Sequence, residues 1–405
     1  MSSKEKKYFL LYLSFLFIFG SIFLFNKHTV GNNWTMSEWL INYQGGFTRR
    51  GFLGNLAFEL ATFFNLKIRF VIFLLQTIFY SFFLIVIYNF LKDIKINFLS
   101  RLAIYTPIFL LFPIAEIESL VRKETVIFIL FIIFLNLASN KFDKKYCNFY
   151  IFFIFPISFL IWEPIIFLFP IIFFILYLKN YQKNLLKNFF EIFLISSPSL
   201  IIFFLTILNP LSEIEHNKMC EYLKINFKED CGMALSMLKS KSTIIQQFTD
   251  VMPMYKIEYF IRYIFILFVG FLPLLILSYN SNFTNKKIKI LNCFKSFFSP
   301  LLLLLCFVPI FFAAMLDWGR VTNIIYTVSV LLYFFLLKNK YIYIVPSNIY
   351  LSINKFLNRK YYYYFFFILY CFCWNIKTIF SEKIGSFPIY RIVRKAFKIL
   401  INQFF

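Results

Sequence analysis

The chain has 405 residues, of which 60% are hydrophobic and only 15% are charged, and phenylalanine alone accounts for 63 of them. A soluble protein of this length needs more surface charge, so the composition excludes a soluble multidomain protein. The formal net charge of +23 suggests nucleic-acid binding. The basic residues, however, are scattered between apolar runs and form no basic face on a folded domain, which excludes that class as well.

Apolar runs bounded by charge predict an all-α, polytopic helical bundle with about eleven membrane spans in one integral membrane domain, 1–405. The first run follows a lysine-rich start, but no small-residue cleavage motif comes after it, so we interpret it as an anchor rather than a signal peptide. The predicted spans are 8–25, 70–91, 102–115, 125–138, 149–162, 164–178, 189–208, 257–279, 297–314, 321–337 and 361–380.

The apolar region 149–178 allows two interpretations. A single crossing would be too long, and it would place the lysine-bearing loops 139–148 and 179–188 on opposite sides of the membrane. Two short spans that meet at an outer turn around Glu163 keep both loops on the same side. We favour the two short spans.

The charge distribution predicts a bacterial inner-membrane protein with a cytoplasmic N-terminus. The predicted inner segments carry half of the lysines and arginines but fewer than a quarter of the acids, which follows the positive-inside rule. These segments are 1–7, 92–101, 139–148, 179–188, 280–296 and 338–360. Acids and arginines are mixed on the predicted outer side, which indicates recognition or chemistry there.

The first outer segment, 26–69, contains an unusual glycine- and arginine-rich run at 43–54. Glycines permit backbone amides to converge on an anion, and two adjacent arginines supply forked donors to phosphate oxygens. The candidate residues of this loop are Gly45, Gly46 and Gly51 for the backbone and Arg49 and Arg50 for the anion. The alternative is that both arginines contact lipid headgroups. The stretch that follows, 52–64, predicts a short amphipathic periplasmic helix.

A second charged cluster joins the third and fourth predicted spans and consists of Glu116, Glu118, Arg122, Lys123 and Glu124. If the fourth helix extends back through it, Arg122 and Lys123 face directions about 100° apart. Only one of them could then reach a central cavity, and we favour Arg122. The alternative is a belt of charges whose side chains snorkel to the interface.

Two further acids are candidate site residues. Glu163 lies in a strongly apolar run, where a carboxylate is costly unless it is paired or hydrated; the alternative is an interfacial turn. Asp317 and Arg320 are three residues apart in a short outer turn and can pair, which would aim the arginine fork at a ligand. Alternatively, they neutralise each other at a helix cap.

The long outer segment, 209–256, contains Cys220 and Cys231. An oxidising compartment would join them in a disulfide, which is the interpretation we favour. The alternative is a metal site with His216, but zinc needs about four ligands and only three candidates are present. We therefore expect no metal and no cofactor.

The runs at 43–51, at Arg122 to Glu124, at Glu163 and at Asp317 to Arg320 together resemble those of multispanning proteins from bacterial surface-polysaccharide clusters. The chain is similar to the O-antigen polymerase (Wzy-type) group over roughly residues 40–325. This resemblance implies a membrane glycosyltransferase that transfers a glycan from polyprenyl diphosphate to a lipid-linked repeat unit on the periplasmic side. One departure is Trp162 before Glu163, where the resemblance leads us to expect a histidine.

The resemblance also implies roles and partners. The diphosphate ligands would be Arg49, Arg50, Arg122, Lys123 and Arg320, and the base that takes the acceptor proton would be Glu163 or Asp317. The implied partners are a polyprenyl-diphosphate-linked oligosaccharide, membrane lipid and a chain-length regulator, with no nucleic acid.

Three other classes stay open. One is a GT-C-like glycosyltransferase that uses a polyprenyl-phosphate sugar, for which the first outer loop offers only Glu38 and Glu59 as the acid. Another is a flippase or transporter for lipid-linked oligosaccharide, although no internal repeat supports it. The third is a structural membrane protein without catalysis.

Overall fold

The computed structural model describes residues 1–31, 33–180, 185–240, 244–284, 312–313, 315–345, 347, 350–352, 355 and 360–404. These residues are mostly helical with few strands, as predicted. Six of the described helices are long and apolar enough to cross a membrane, fewer than the predicted eleven. They are Ser3–Thr29, Ile68–Leu91, Lys144–Ile161 (two α-helical pieces, α8 Lys144–Phe149 and α9 Ile157–Ile161, with a π-helix at Tyr150–Ile154 between them), Leu186–Leu208, Ile257–Tyr279 and Trp318–Lys338.

The described helices are numbered in chain order. The first nine are α1 Ser3–Thr29, α2 Trp34–Ser37, α3 Gly51–Phe63, α4 Ile68–Leu91, α5 Phe98–Tyr105, α6 Phe112–Ala115, α7 Glu124–Ala138, α8 Lys144–Phe149 and α9 Ile157–Ile161. The others are α10 Phe169–Lys179, α11 Leu185–Leu208, α12 Glu213–Phe227, α13 Met233–Ser240, α14 Ile244–Val251, α15 Ile257–Tyr279, α16 Trp318–Lys338, α17 Lys360–Phe372 and α18 Pro388–Phe404. Strand β1 (Ser281–Phe283) pairs antiparallel with β2 (Ile342–Ile344), and β3 (Trp374–Asn375) pairs antiparallel with β4 (Gly385–Ser386).

Several predicted spans are broken or short in the structure, and proline explains one of the breaks. The predicted span 102–115 is divided between α5 and α6, because the helical conformation is disfavoured for the residue before Pro107. The region 149–178 is interrupted at Trp162, whose backbone is extended, and a short 3-10 helix, Glu163–Leu168, follows. The last predicted span ends at Phe372, where β3 follows. The predicted span 297–314 lies outside the described residues, except for 312–313.

The chain divides into two compact units. Unit 1 comprises Met1–Phe19, Tyr88–Ser119 and Val251–Phe405, and unit 2 comprises Gly20–Ile87 and Leu120–Asp250.

Helix α16 is the central helix of unit 1, because nearly its whole length is buried. Its polar side chains complete the hydrogen bonding of the broken span beside it. Asn323 donates to the carbonyl oxygens of Ile108 and Phe109 at 2.8 and 2.9 Å, and the Tyr326 hydroxyl donates to the carbonyl of Ala103 at 2.9 Å. Buried backbone carbonyls that leave a helix need such partners, so these residues make the break tolerable.

In the core of unit 2, two buried side chains donate hydrogen bonds to the carbonyl oxygen of Val121. It accepts hydrogen bonds from the indole nitrogen of Trp39 at 3.1 Å and from the side-chain amide of Gln76 at 3.4 Å. Trp39 and Gln76 are both fully buried. These bonds hold the segment after α2, helix α4 and the turn before α7 together, and this turn carries the charged residues described next.

Candidate functional site

Charged side chains from four separate segments of unit 2 converge below its surface. We call this group the Arg–Glu cluster. Its members are Glu38, Arg49, Arg50, Arg122, Lys123, Glu124 and Glu163. The structure thus brings together the candidates Arg49, Arg50, Arg122, Lys123, Glu124 and Glu163, and it adds Glu38 to them.

Arg50 and Glu163 form the central pair of the cluster. The Nε atom of Arg50 donates to both carboxylate oxygens of Glu163, at 3.0 and 2.8 Å, and Nη2 donates to Oε1 at 2.8 Å. The Glu163 side chain is only 9% exposed. Arg49 approaches the same carboxylate, with its Nη1 atom 3.8 Å from Oε1. Fork-shaped pairing of this kind fixes the plane of the guanidinium group.

Arg122 forms the second pair, with Glu38. Its Nε atom donates to Oε2 of Glu38 at 2.7 Å, and the Glu38 side chain is 1% exposed. Oε1 of Glu38 lies 3.8 Å from Nη1 of Arg50, so this carboxylate connects the two pairs. Sequence reasoning missed Glu38 as a member of this site. The signal was available, since buried arginines require carboxylate partners and acids are scarce in the first outer segment.

The turn before α7 explains why both Arg122 and Lys123 belong to the cluster. Val121 has a φ of 46°, which is a rare backbone conformation for a β-branched residue. Its carbonyl is held by Trp39 and Gln76, as described above. The expectation that only one of the two cations could face inward assumed a continuous helix and is wrong, because α7 begins at Glu124 and the preceding residues turn.

Lys123 lies at the bottom of the cluster with none of its surface exposed. Its ammonium group donates a hydrogen bond to the backbone carbonyl of Arg50. Burial lowers the pKa of Lys123 to about 7, because desolvation outweighs the attraction of Glu38 and the other nearby carboxylates. Lys123 therefore helps to position Arg50, and its predicted role as a diphosphate ligand stays a prediction.

The charges of Arg50 and Glu163 stabilise each other. Burial would raise the pKa of Glu163, but the charge and hydrogen bonds of Arg50 and the charge of Arg49 lower it below the usual value. Burial would likewise lower the pKa of Arg50, but Glu163 and Glu38 raise it. Both groups are ionised at neutral pH. A carboxylate with a lowered pKa is a weak proton acceptor, which argues against Glu163 as the catalytic base.

The glycines at 45, 46 and 51 have a packing role. A Cβ atom at Gly45 would overlap the backbone carbonyl of Glu215, and Gly46 has a φ of 144° beside the Glu215 side chain. A Cβ atom at Gly51 would overlap the ring of Tyr43. Gly45 and Gly46 thus let the loop approach the first turn of α12, whereas the expectation that these glycines gather amides around an anion stays a prediction.

The Cys220–Cys231 pair is a disulfide in the structure, with the Cα atoms 5.2 Å apart. His216 is buried beside it, and its Nε2 atom lies 3.5 Å from the sulfur of Cys231. The disulfide ties α12 to the segment before α13. Helix α12 begins with a capping box between Ser212 and Glu215, so the same helix supports the glycine-rich loop.

In unit 1, Arg320 donates to Asp317 at 3.0 Å, and the side chains are 7% and 29% exposed. A second polar group surrounds Glu116, which contacts Lys377 Nζ at 3.1 Å and Asn375 Nδ2 at 3.0 Å. Burial raises the pKa of Glu116, although Lys377 opposes the shift. Sequence reasoning missed Lys377 and Asn375, because the apolar run that contains them predicts a membrane span.

No family model, curated protein or solved structure matches this chain. The features that indicate a function are therefore the chemistry of the Arg–Glu cluster and the membrane character of the chain. Arg320, the remaining candidate cation, belongs to unit 1, whereas the candidate cations of the cluster belong to unit 2.

Proposed function

We propose that this protein is a membrane polysaccharide polymerase of the O-antigen type. It would transfer a glycan from polyprenyl diphosphate to a lipid-linked repeat unit, on the periplasmic side of a bacterial inner membrane and with its N-terminus in the cytoplasm. The observation that carries the proposal is the pair of adjacent arginines, Arg49 and Arg50, oriented by a buried carboxylate in a chain of apolar helices.

Partial exposure distinguishes Arg49 and Arg50 from the rest of the cluster. Their side chains are 23% and 21% exposed, whereas Lys123 and Glu38 are almost fully buried. Arg49 also lies 3.8 Å from the Glu163 carboxylate, and the planar fork of a guanidinium group matches two phosphate oxygens. In this proposal Arg49 and Arg50 bind the diphosphate at the open edge of the cluster.

The buried members of the cluster position these two arginines. Glu163 fixes the orientation of the Arg50 guanidinium group. Glu38 contacts Arg50 with one carboxylate oxygen and Arg122 with the other. Donors that are already oriented need no reorganisation as charge develops on the leaving group, which is the most effective form of electrostatic catalysis. The acceptor hydroxyl oxygen would attack the anomeric carbon as the bond to the diphosphate oxygen breaks, so that polyprenyl diphosphate leaves with the bonding electron pair and the hydroxyl proton passes to a base. The roles of Asp317 as base and Arg320 as phosphate ligand stay predictions.

The proposal is tested in a strain whose long-chain surface glycan depends on this protein. Arg49→Ala is expected to abolish long chains, while glycan with a single repeat unit persists, because supply and export of that unit do not need this step. Arg49→Lys keeps the charge without the fork and is expected to give shortened chains. Lys224→Ala, at an exposed position of α12, is the control and should leave the chain length unchanged.

Membrane insertion and protein level must be measured in each strain. Long chains that survive both Arg49→Ala and Arg122→Ala would show that the diphosphate role is wrong. A transporter would instead lose surface glycan of every length when Arg49 is replaced.

A further inference from the structure

A cavity of about 280 Å³ lies in unit 2, away from any role assigned so far. Its walls come from three segments. They are the segment 31–40, which includes α2, the start of α4 at Arg69, and the turn at 228–232 that follows α12. The polar lining includes Arg69, Lys228, Glu229 and Asp230, and Met36 and Leu40 supply an apolar surface.

Arg69, at the start of α4, is held in place by hydrogen bonds to the other two segments. Its Nε atom donates to Oε1 of Glu229 at 2.6 Å, and its Nη1 atom donates to the carbonyls of Val30 and Gly31 at 3.0 and 3.2 Å. The guanidinium group is therefore held from two directions. Rigid polar groups of this kind give a binding site its specificity.

The turn at 228–232 is fixed by the C-terminal end of α12. Lys228 has a φ of 55°, and its N–H donates to the carbonyl of Lys224 at 3.0 Å, while the N–H of Glu229 donates to that of Leu223 at 3.3 Å. These bonds close the helix with a left-handed cap. Two residues after Glu229 lies Cys231, and the disulfide to Cys220 fixes this turn to α12.

The charges around the cavity indicate the class of ligand. The lining contains two cations, Arg69 and Lys228, and two carboxylates, Glu229 and Asp230, so it has no formal net charge. Such a lining gives a phosphate or a uronate no electrostatic advantage. It offers donors and acceptors side by side, which suits the hydroxyl groups of a sugar, and Met36 and Leu40 suit the C–H face of a pyranose ring.

We propose that this cavity binds a neutral pyranose of the glycan substrate. The proposal rests on the proposed function, and it adds a sugar subsite to it. Support comes from the segment that both sites share: Met36 and Leu40 line the cavity, whereas Glu38, between them, pairs with Arg122 in the Arg–Glu cluster.

Binding is measured on the purified full-length protein in detergent, by saturation-transfer NMR with methyl glycosides of neutral hexoses and N-acetylhexosamines at millimolar concentration. Methyl glucuronide and inorganic phosphate are the charged competitors. Gly31 lines the cavity, and a Cβ atom there would meet no other atom within 4 Å. Gly31→Phe therefore places a bulky side chain at the lining of the cavity without a clash at its Cβ, and Gly31→Ala is the smaller step at the same position.

We expect a neutral glycoside to bind the wild type and Gly31→Ala, and to lose its signal with Gly31→Phe. Asp230→Ala, which removes one acceptor at the exposed rim, should weaken binding roughly fivefold. Glu221→Ala, on an exposed position of α12, should not. The cavity proposal is overturned if no glycoside binds the wild type, if Gly31→Phe binds as the wild type does, or if phosphate or glucuronide displaces the glycoside.

This result is independent of the test of the proposed function, because a free glycoside carries no diphosphate. Loss of long chains in Arg49→Ala together with no glycoside binding would refute the sugar subsite alone. Glycoside binding together with normal long chains in both Arg49→Ala and Arg122→Ala would refute the diphosphate role and leave a sugar site.

Discussion

Arg50 binds both carboxylate oxygens of Glu163, a residue 113 positions further along the chain. The pair joins the glycine-rich loop to the turn at Trp162, and neither partner is more than about a fifth exposed. The desolvation cost of each charge is offset only while the other is present. The pair is therefore better understood as a device that holds Arg50 in one orientation than as a source of net stability.

This reasoning predicts a strong coupling between the two residues. Arg50→Met alone, or Glu163→Leu alone, leaves a buried charge without its main partner and is expected to cost about 3–5 kcal/mol. The double variant should be markedly more stable than the sum of the two losses predicts, since it buries no unpaired charge. Thermal unfolding of the purified variants, arranged as a double-mutant cycle, measures this coupling. Strictly additive losses would contradict the pairing.

The sequence predicted the residues of the cluster better than it predicted their arrangement. The loop at 43–54, Arg122 and Glu163 were identified because charges and glycines are conspicuous in an apolar chain. The helix predicted after the loop is also present, as α3. These features are local, and periodicity and composition report local features well.

Long-range pairing was not predictable in the same way. Nothing in the neighbourhood of Glu38 indicates that Arg122, 84 residues away, is its partner. The positive φ of Val121 depends on bonds from Trp39 and Gln76, so it is set by tertiary structure rather than by the residue itself. A helix that extended back through Arg122 and Lys123 would have separated these two cations, but α7 begins only at Glu124.

Lys123 should make stability depend on pH. Its pKa is about 7 in the folded protein and has the ordinary value of 10.5 when the chain is unfolded. Below pH 7 both states carry the ammonium charge, and the folded state bears the full burial penalty. Between about pH 7 and pH 10.5 only the unfolded state binds the proton, so stability rises with pH across this window.

Replacing Lys123 tests this dependence. Lys123→Met is expected to be more stable than the wild type below pH 7, by a few kcal/mol in order of magnitude, and to show a flatter profile above it. Thermal unfolding temperatures measured from pH 6 to pH 10 provide the comparison. Parallel profiles for the two proteins would mean that Lys123 does not titrate in this range.

The disulfide is expected to stabilise the outer segment that supports the glycine-rich loop. Cys220 and Cys231 are 11 residues apart, and closing a loop of this length is worth roughly 2–3 kcal/mol. The double variant Cys220→Ser/Cys231→Ser should unfold at a lower temperature, and a reducing agent should lower that of the wild type to a similar value. No response to the reducing agent would show that the bond does not form.

The close contact between the glycine-rich loop and α12 is expected to orient Arg49 and Arg50. Gly45→Ala forces a Cβ atom into the backbone carbonyl of Glu215, and backbone cannot move aside as a flexible side chain can. We expect the loop to shift away from α12, so that Arg49 and Arg50 lose their orientation and long-chain glycan falls sharply, with a loss of stability of about 1–3 kcal/mol. Gly31→Ala is the matched control for stability, because its Cβ meets no neighbour within 4 Å, and it should be neutral or slightly stabilising. Equal effects of the two substitutions on the unfolding temperature would show that the loop does not depend on this contact.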